Sequence, residues 1–268
     1  MTLEELQAGI VIPIDKPRQW TSFQAVNKVK SIIRHHFDLK KFKIGHAGTL
    51  DPLATGLLLI CVGRATKRIE ELQSGIKTYT GTMVLGATTP CYDLEQAVNH
   101  YFPYQHISLE LIEKVKTQFV GDIEQVPPIF SAVKIDGQRA YSLARSDNQS
   151  DASPSPKMVH IEEFVITDFR PGTDGDMSMA ELTMPTPSNL HHLYDNPQGS
   201  IPKHLPQIDF RITCSKGTYI RSIARDFGLA LDSGAFLASL RRERIGDYAI
   251  SQSFQLECLA ETFFANKS

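Results

Sequence analysis

The sequence predicts an α+β fold built on a mixed, largely antiparallel sheet, and three observations predict it. Segments of β pattern and helical pattern alternate irregularly, without a regular β-α-β order. Several β segments are separated only by turn signals and read as hairpins, as around Asp136-Gly137. No internal repeat is present, so the chain is not a solenoid or an array.

Residues 8–14 (GIVIPID) read as a short strand. Thr21 opens a helix, because Thr21 and Gln24 fit a capping box. Phe23, Val26, Val29, Ile32 and Ile33 then recur at helical spacing, with Lys28, Lys30 and Arg34 on the other face. Residues 37–52 read as a loop, Leu57 to Val62 as a buried strand, and 64–73 as helical. Residues 77–85 (KTYTGTMVL) have strand composition and 108–119 a helical pattern. A strand pair is expected around Pro127-Pro128, with Phe130 to Lys134 as its second member, followed by a short helix over 139–145. Residues 146–157 (SDNQSDASPSPK) are a polar linker or exposed loop. A strand covers 158–169. Residues 171–206, rich in Pro, Gly, Asn and His, read as an insertion with a strand at 177–184. Gln207 to Cys214 alternates as a strand does, Gly217 opens a helix to about Leu231, and another helix is expected over 234–242.

At 268 residues, 41% hydrophobic and 22% charged, the chain can bury a substantial core. Its four cysteines, Cys61, Cys91, Cys214 and Cys258, form no C-x-x-C pair, which argues against a zinc site. The N-terminal MTLEELQAG lacks a basic-then-apolar leader pattern, and no apolar run approaches membrane-spanning length. A soluble protein of a reducing cytoplasm, a monomer without membrane contact, is the expectation. The net charge of −2 disfavours a polyanionic partner, but its distribution does not. From Lys16 to His46 there are eight Lys/Arg against one acid, Asp38, and Arg241, Arg242 and Arg244 form a second cluster. A locally basic face on a near-neutral protein fits a nucleic-acid footprint, and a solvated helix face is the plainer reading.

The most informative stretch is Lys43 to Gly56, KIGHAGTLDPLATG. It sets Asp51 in a glycine-containing loop, a usual place for reactive side chains. Asp-Pro is also a common helix start, with Asp as N-cap and Pro as first helical residue. A loop carboxylate can act as nucleophile or base if a partner keeps it ionised. Arg221, at the strand-to-helix junction CSKGTYIRS, is a candidate partner; the plain alternative is a surface arginine. Tyr79, in KTYTGT, can stack on a base and exchange a proton, or simply pack in the sheet. His46 has no second ligand at metal spacing; it suits stacking or hydrogen bonding, or is an ordinary loop histidine. His35-His36 and His191-His192 read as solvent-facing. The phosphate-loop, dinucleotide and nucleophile-elbow motifs are absent, which argues against nucleoside triphosphates, dinucleotide cofactors and serine hydrolysis.

KIGHAGTLDPLATGLLLICVGRATK closely resembles the signature of the TruB-type tRNA pseudouridine synthase family. IDKPRQWTS, KTYTGTMVLG, GDIEQVPPIFSAVKIDGQRAYSLAR, CSKGTYIRSIARDFG and LASLRRERIGDY resemble the family's other motifs, in family order across residues 10–250. The resemblance implies the pseudouridine synthase fold, with flanking helices and a central catalytic cleft. It implies isomerisation of the T-arm uridine at tRNA position 55, with no cofactor. By position, Asp51 matches the catalytic aspartate, Tyr79 the stacking tyrosine and Arg221 the arginine paired with the aspartate. His46 matches the histidine that fills the place of the flipped base, and Leu240 a leucine of the base pocket. Lys16 and Pro17 match the N-terminal motif, with a structural or RNA-supporting role.

Residues 1–250 are thus expected to form the catalytic domain, with an insertion at 171–206 longer than usual in the family. Residues 251–268 are expected to be a short tail, too short for the PUA-type domain that many members carry. Binding of tRNA then rests on the basic face and loops. Pro90-Cys91-Tyr92 departs from the more polar stretch expected after the tyrosine strand. A tRNA-binding or folding chaperone on the same scaffold would not need Asp51, Tyr79 and Arg221 together. A glycosidase using Asp51 would lack a clear second carboxylate.

Overall fold

The computed structural model describes residues 2–128, 134–135, 138–139, 154–173 and 202–264. In chain order the elements are α1 (Leu3–Ala8), β1 (Ile10–Lys16), α2 (Ser22–Phe37), β2 (Ile44–Ala47), β3 (Thr55–Val62), α3 (Ile69–Ser74) and β4 (Lys77–Leu85). Then follow β5 (Ala87–Thr88), β6 (His100–Tyr101), α4 (Leu109–Lys116), β7 (Gly121–Gln125), β8 (Lys134–Ile135), β9 (Gln138–Arg139) and β10 (Lys157–Arg170). The chain ends with β11 (Gln207–Cys214), α5 (Ile220–Ala230), β12 (Ala235–Ile245), β13 (Tyr248–Ala249), β14 (Phe254–Gln255) and α6 (Leu259–Phe264). The fold is α+β with a mixed, mainly antiparallel sheet. The chain forms two compact units, Met1–Thr80 with Leu240–Ser268, and Gly81–Ser239.

In the first unit the strand order is β14-β1-β3-β12-β4, with β2 also paired to β3. The apolar run of β3 has two covered faces, which explains why it is continuous rather than alternating. Leu58, Ile60 and Val62 join Ile12, Ile14, Ala25, Val26, Val29 and Ile33 in one core, formed against α1 and α2. Leu57, Leu59 and Cys61 join Ala47, Leu72 and Ile245 in another. Leu256 and Leu259, from the stretch expected to be a tail, are buried in the first of these cores. The α2 capping box is present, with Thr21 and Gln24 each serving the other's backbone N–H. Lys28 and Arg34 are exposed and Lys30 is half-buried, as the periodicity predicts. Phe23 is not part of the core stripe: it is 69% exposed, while Ser22, Ala25, Val26, Val29 and Ile33 make up the buried face.

In the second unit β4-β11-β10-β7 form the sheet. Its core is an aromatic cluster of Phe119, Phe164, Phe210 and Phe227, with Phe227 5.4 Å from both Phe119 and Phe164. The expected strands at 77–85 and 207–214 match β4 and β11. The expected linker lies mostly, and the expected strand at 177–184 entirely, outside the described residues. So do most of the 139–145 helix and the 171–206 insertion.

Further expectations are corrected. The stretch 37–52 is not all loop, since it contains β2, and residues 235–242 are not a helix but belong to β12, which pairs parallel to β3 with Arg241 opposite Thr55 and Arg242 opposite Gly56. Ala, Leu, Arg and Glu favour helix by intrinsic propensity, and sheet pairing overrides it. Asp51-Pro52 does not start a helix either: residues 51–54 bend and lead directly into β3. The Pro52 carbonyl, which a helix would use internally, instead accepts from Gln19 N at 2.8 Å.

Gly56 is the most constrained position of this region. It has φ +101, opposite Lys16 on one side and Arg242 on the other, and a Cβ would sit 2.3 Å from the Arg242 carbonyl oxygen. Gly56→Ala is therefore expected to destabilise the protein by at least about 2 kcal/mol. Urea denaturation of the variant, with an unchanged m-value, checks this.

Candidate active site

Asp51 sits half-buried in the loop between β2 and β3, and three side chains from distant elements hold that loop by its main chain. Ser22, the first residue of α2, accepts from Leu50 N (2.9 Å) and donates to Leu50 O (3.2 Å). Lys16 ends β1 with no exposed surface, and its Nζ donates to Trp20 O (2.6 Å), Pro17 O (3.0 Å) and Pro52 O (3.3 Å). Arg242, 1% exposed, donates from Nε to Leu57 O (2.8 Å), from Nη2 to Gly48 O (3.0 Å) and from Nη1 to Thr49 O (3.4 Å). The anchors Leu50 and Ala54 are buried on either side of the carboxylate.

This corrects the reading of the second basic cluster as an exposed face. Arg242 is interior, and Arg241 makes a bidentate pair with Asp15 at 3.0 and 2.7 Å. Only Arg244 of the three is exposed. Lys16 leaves the first basic stretch for the same reason, while its other seven cations stay at least partly exposed.

Burial pushes the Lys16 ammonium from 10.5 down to about 8; the nearby Asp51 carboxylate opposes this and the Arg242 charge reinforces it. Lys16 and Asp51 are thus brought together electrostatically. His46 lies in β2, opposite Ile60. Burial, and then the Arg242 charge, lower its pKa against a backbone hydrogen bond to Gly48, so the ring is neutral at pH 7. Leu240 is half-buried in β12, next to Arg241. Tyr79 is 9% exposed in β4.

Arg221 belongs to the second unit and is 5% exposed in the first turn of α5. A cation there is opposed by the positive end of the helix dipole, so it needs an anion nearby. Asp93 supplies it: Asp93 Oδ2 lies 3.7 Å from Arg221 Nη1, which also donates to Cys91 O at 3.3 Å. Asp93 is itself buried, and its Oδ1 accepts from Glu95 N at 2.9 Å. The departing segment Pro90-Cys91-Tyr92 thus leads into the carboxylate of this arginine. Tyr92 has φ +59 and lies under the Arg225 guanidinium, 5.6 Å from its ring centre.

Sequence reading missed Asp93 and the interior role of Arg242. Nothing local marks Asp93, whose partner is more than a hundred residues away. Arg242 was within reach: in an alternating strand reading of LRRERI it shares a face with Leu240, opposite to Arg241 and Glu243.

The model of the TruB family pseudouridylate synthase N-terminal domain matches residues 34–220. The chain is 47% identical over 263 residues to a tRNA pseudouridine synthase B of Flavobacterium johnsoniae, covering 98% of this chain and 99% of the relative. It is 43% identical to that of Phocaeicola vulgatus, covering 94% and 92%. Among solved structures, a chain in the crystal structure of a Cbf5-Nop10-Gar1 complex shares the fold with a TM-score of 0.63 at 24% identity. That match covers 97% of this chain but only 56% of the solved one.

The depressed Lys16 value predicts a pH dependence. The folded state disfavours the protonated form, so the cost of burying the ammonium is fully present below about 8 and is relieved as pH rises from about 8 to 10.5. Over the same window the loop loses the positive charge beside Asp51. Turnover is expected to fall along an alkaline limb with an apparent pKa near 8, and a pH profile of Lys16→Met is expected to lack that limb.

Proposed function

The chain belongs to the TruB family of pseudouridylate synthases, and from that premise we propose that it isomerises a uridine of tRNA, the T-arm uridine at position 55, to pseudouridine. The observation that carries the proposal is the clamp on Asp51. A half-buried carboxylate in a loop fixed by Lys16, Ser22 and Arg242 is positioned at a cost that a binding surface alone has no use for.

The uridine leaves the RNA stack before it reacts, at a cost of a few kcal/mol. Asp51 initiates cleavage of the C1′–N1 bond. The base then turns, C1′ bonds to C5, the C5 hydrogen leaves as a proton and N1 gains one. Atoms and electrons balance without an oxidant or a second substrate, so the reaction takes no cofactor. Tyr79 stacks on the base and handles the proton. The His46 ring, neutral at pH 7, fills the vacated space as an uncharged plane. Leu240 lines the apolar side of the base, and Lys16 holds the loop. Arg221 takes the part that the resemblance gives it, the cation serving the catalytic carboxylate.

Exposed cations support a polyanionic substrate. Lys41, Lys43, Arg64 and Lys67 rim a cavity of about 320 Å³ floored by Leu6, Leu39 and Phe42. No helix among the described residues is long and apolar enough to cross a membrane, and the four thiols are unbridged. A cytoplasmic monomer is part of the proposal. A chaperone that only bound tRNA would leave the held carboxylate without a use.

Release of the C5 hydrogen from a labelled T-arm stem-loop tests the proposal. Wild type is expected to release it, and Asp51→Ala to lose at least about 1,000-fold in rate. The variant should still bind tRNA, with affinity that weakens as salt rises. Retained turnover in Asp51→Ala would remove Asp51 from the chemistry.

A further inference from the structure

The helix that carries Arg221 begins without a cap of its own. Its N-cap position is Tyr219, whose side chain makes no capping hydrogen bond, although the first turn of a helix leaves backbone N–H groups unsatisfied. The missing partner comes from Gln125, the last residue of β7. Its Oε1 accepts from Tyr219 N at 2.8 Å and its Nε2 donates to Tyr219 O at 3.1 Å. One side-chain amide thus satisfies both main-chain groups of the residue two before Arg221. Gln125 is 2% exposed, so water does not compete for either bond.

The next residue extends the contact. Val126 O accepts from Ser222 Oγ at 2.8 Å and from Arg225 Nη2 at 3.1 Å, so the residues on both sides of Arg221 are tied to one dipeptide. The sequence explains why that dipeptide is available. Gln125 is paired to β10 opposite Lys157, which fixes its position in the sheet. Pro127 and Pro128 follow at once, and proline cannot donate to a ladder. The strand therefore stops at Gln125, and the Val126 carbonyl is left to serve the helix.

An amide suits this place better than its neighbours in chemistry. Glutamate at 125 would set a carboxylate against the Tyr219 carbonyl oxygen, and leucine would remove the acceptor of the Tyr219 N–H and one of two donors to its C=O, which also accepts from Ile223 N at 3.1 Å. We propose that Gln125 is a positioning residue for the reaction: it acts through Arg221, by setting where the first turn of α5 begins. The inference rests on the catalytic part assigned to Arg221 above.

A double-mutant cycle tests it, with C5-hydrogen release and tRNA affinity measured for each protein. Gln125→Leu is expected to lower kcat by about 10- to 100-fold, as a misplacement of the order of 1 Å does. Affinity for tRNA should stay within about twofold, because Gln125 reaches no surface. In an Arg221→Lys background the same substitution should change kcat by less than about twofold, the signature of two residues acting as one. An equal loss in both backgrounds, an unchanged kcat, or a loss confined to tRNA affinity would each overturn the proposal. If Arg221→Lys turned over like wild type, the part assigned to Arg221 would fall and Gln125 with it, while the Asp51→Ala result would stand separately. Thermal melts report whether the variants fold. Should Gln125→Leu fail to fold, Gln125→Asn, an amide one methylene too short to keep both bonds to Tyr219, takes its place in the cycle under the same criteria.

Discussion

Two buried cations hold the loop that carries Asp51, and they do so through main-chain oxygens. Lys16, Gly56 and Arg242 occupy one cross-strand row, Gly56 pairing with Lys16 on one side and Arg242 on the other. Lacking a side chain, Gly56 lets β3 run close against β12 between two long side chains. Those side chains then reach the 48–57 segment from opposite strands and collect the carbonyls of Gly48, Thr49, Pro52 and Leu57. Burying two charges is costly unless each is hydrogen-bonded. Arg242 has no carboxylate partner among the described residues, so carbonyl dipoles carry that compensation for it.

This arrangement also sets a positive charge near Asp51. Here the ammonium of Lys16 is committed to three carbonyl oxygens, and its charge reaches Asp51 through space. The carboxylate feels a positive environment while the cation's donors are spent elsewhere. Burial, and after it the Arg242 charge, lower the His46 pKa, so a cation that fixes the loop also favours the neutral imidazole.

Local pattern carried much of the fold. The Thr21 capping box, the helical stripe from Val26 to Ile33, the apolar run of β3 and the strands at 77–85 and 207–214 are all set by interactions within a few residues or by simple burial. The errors lie where a distant partner decides. Phe23 shares its turn with the buried Ser22 and Ala25 but lies round the helix from the face they form. Residues 235–242 have helix-forming composition, and the neighbouring strands turn them into β12. Asp51-Pro52 has the form of a helix start, and Lys16 and Gln19 take the carbonyl that such a helix would need. Of the proposed site, Asp51, Tyr79, Arg221 and His46 stood out as candidates from their residue types and settings, their roles came through motif resemblance, and Leu240 and Lys16 came through resemblance alone. Asp93 and Gln125 escaped because their importance consists of contacts to residues about a hundred positions away.

The two units solve the same problem in the same way. The side chains proposed to react, Asp51 and Arg221, sit where regular structure ends, at a bend before β3 and at the first turn of α5. Such ends have unsatisfied main-chain groups and would otherwise fray. In each case the groups are taken up by side chains from elsewhere: Ser22, Lys16 and Arg242 around Asp51, and Gln125 before Arg221. Local caps would also have satisfied the backbone, but they would have tied it only to itself. Long-range side chains tie it to the sheet, and β1, β12 and β7 are the elements that set the positions. Position at the reacting groups is thereby inherited from sheet register, which changes only in steps of a whole residue.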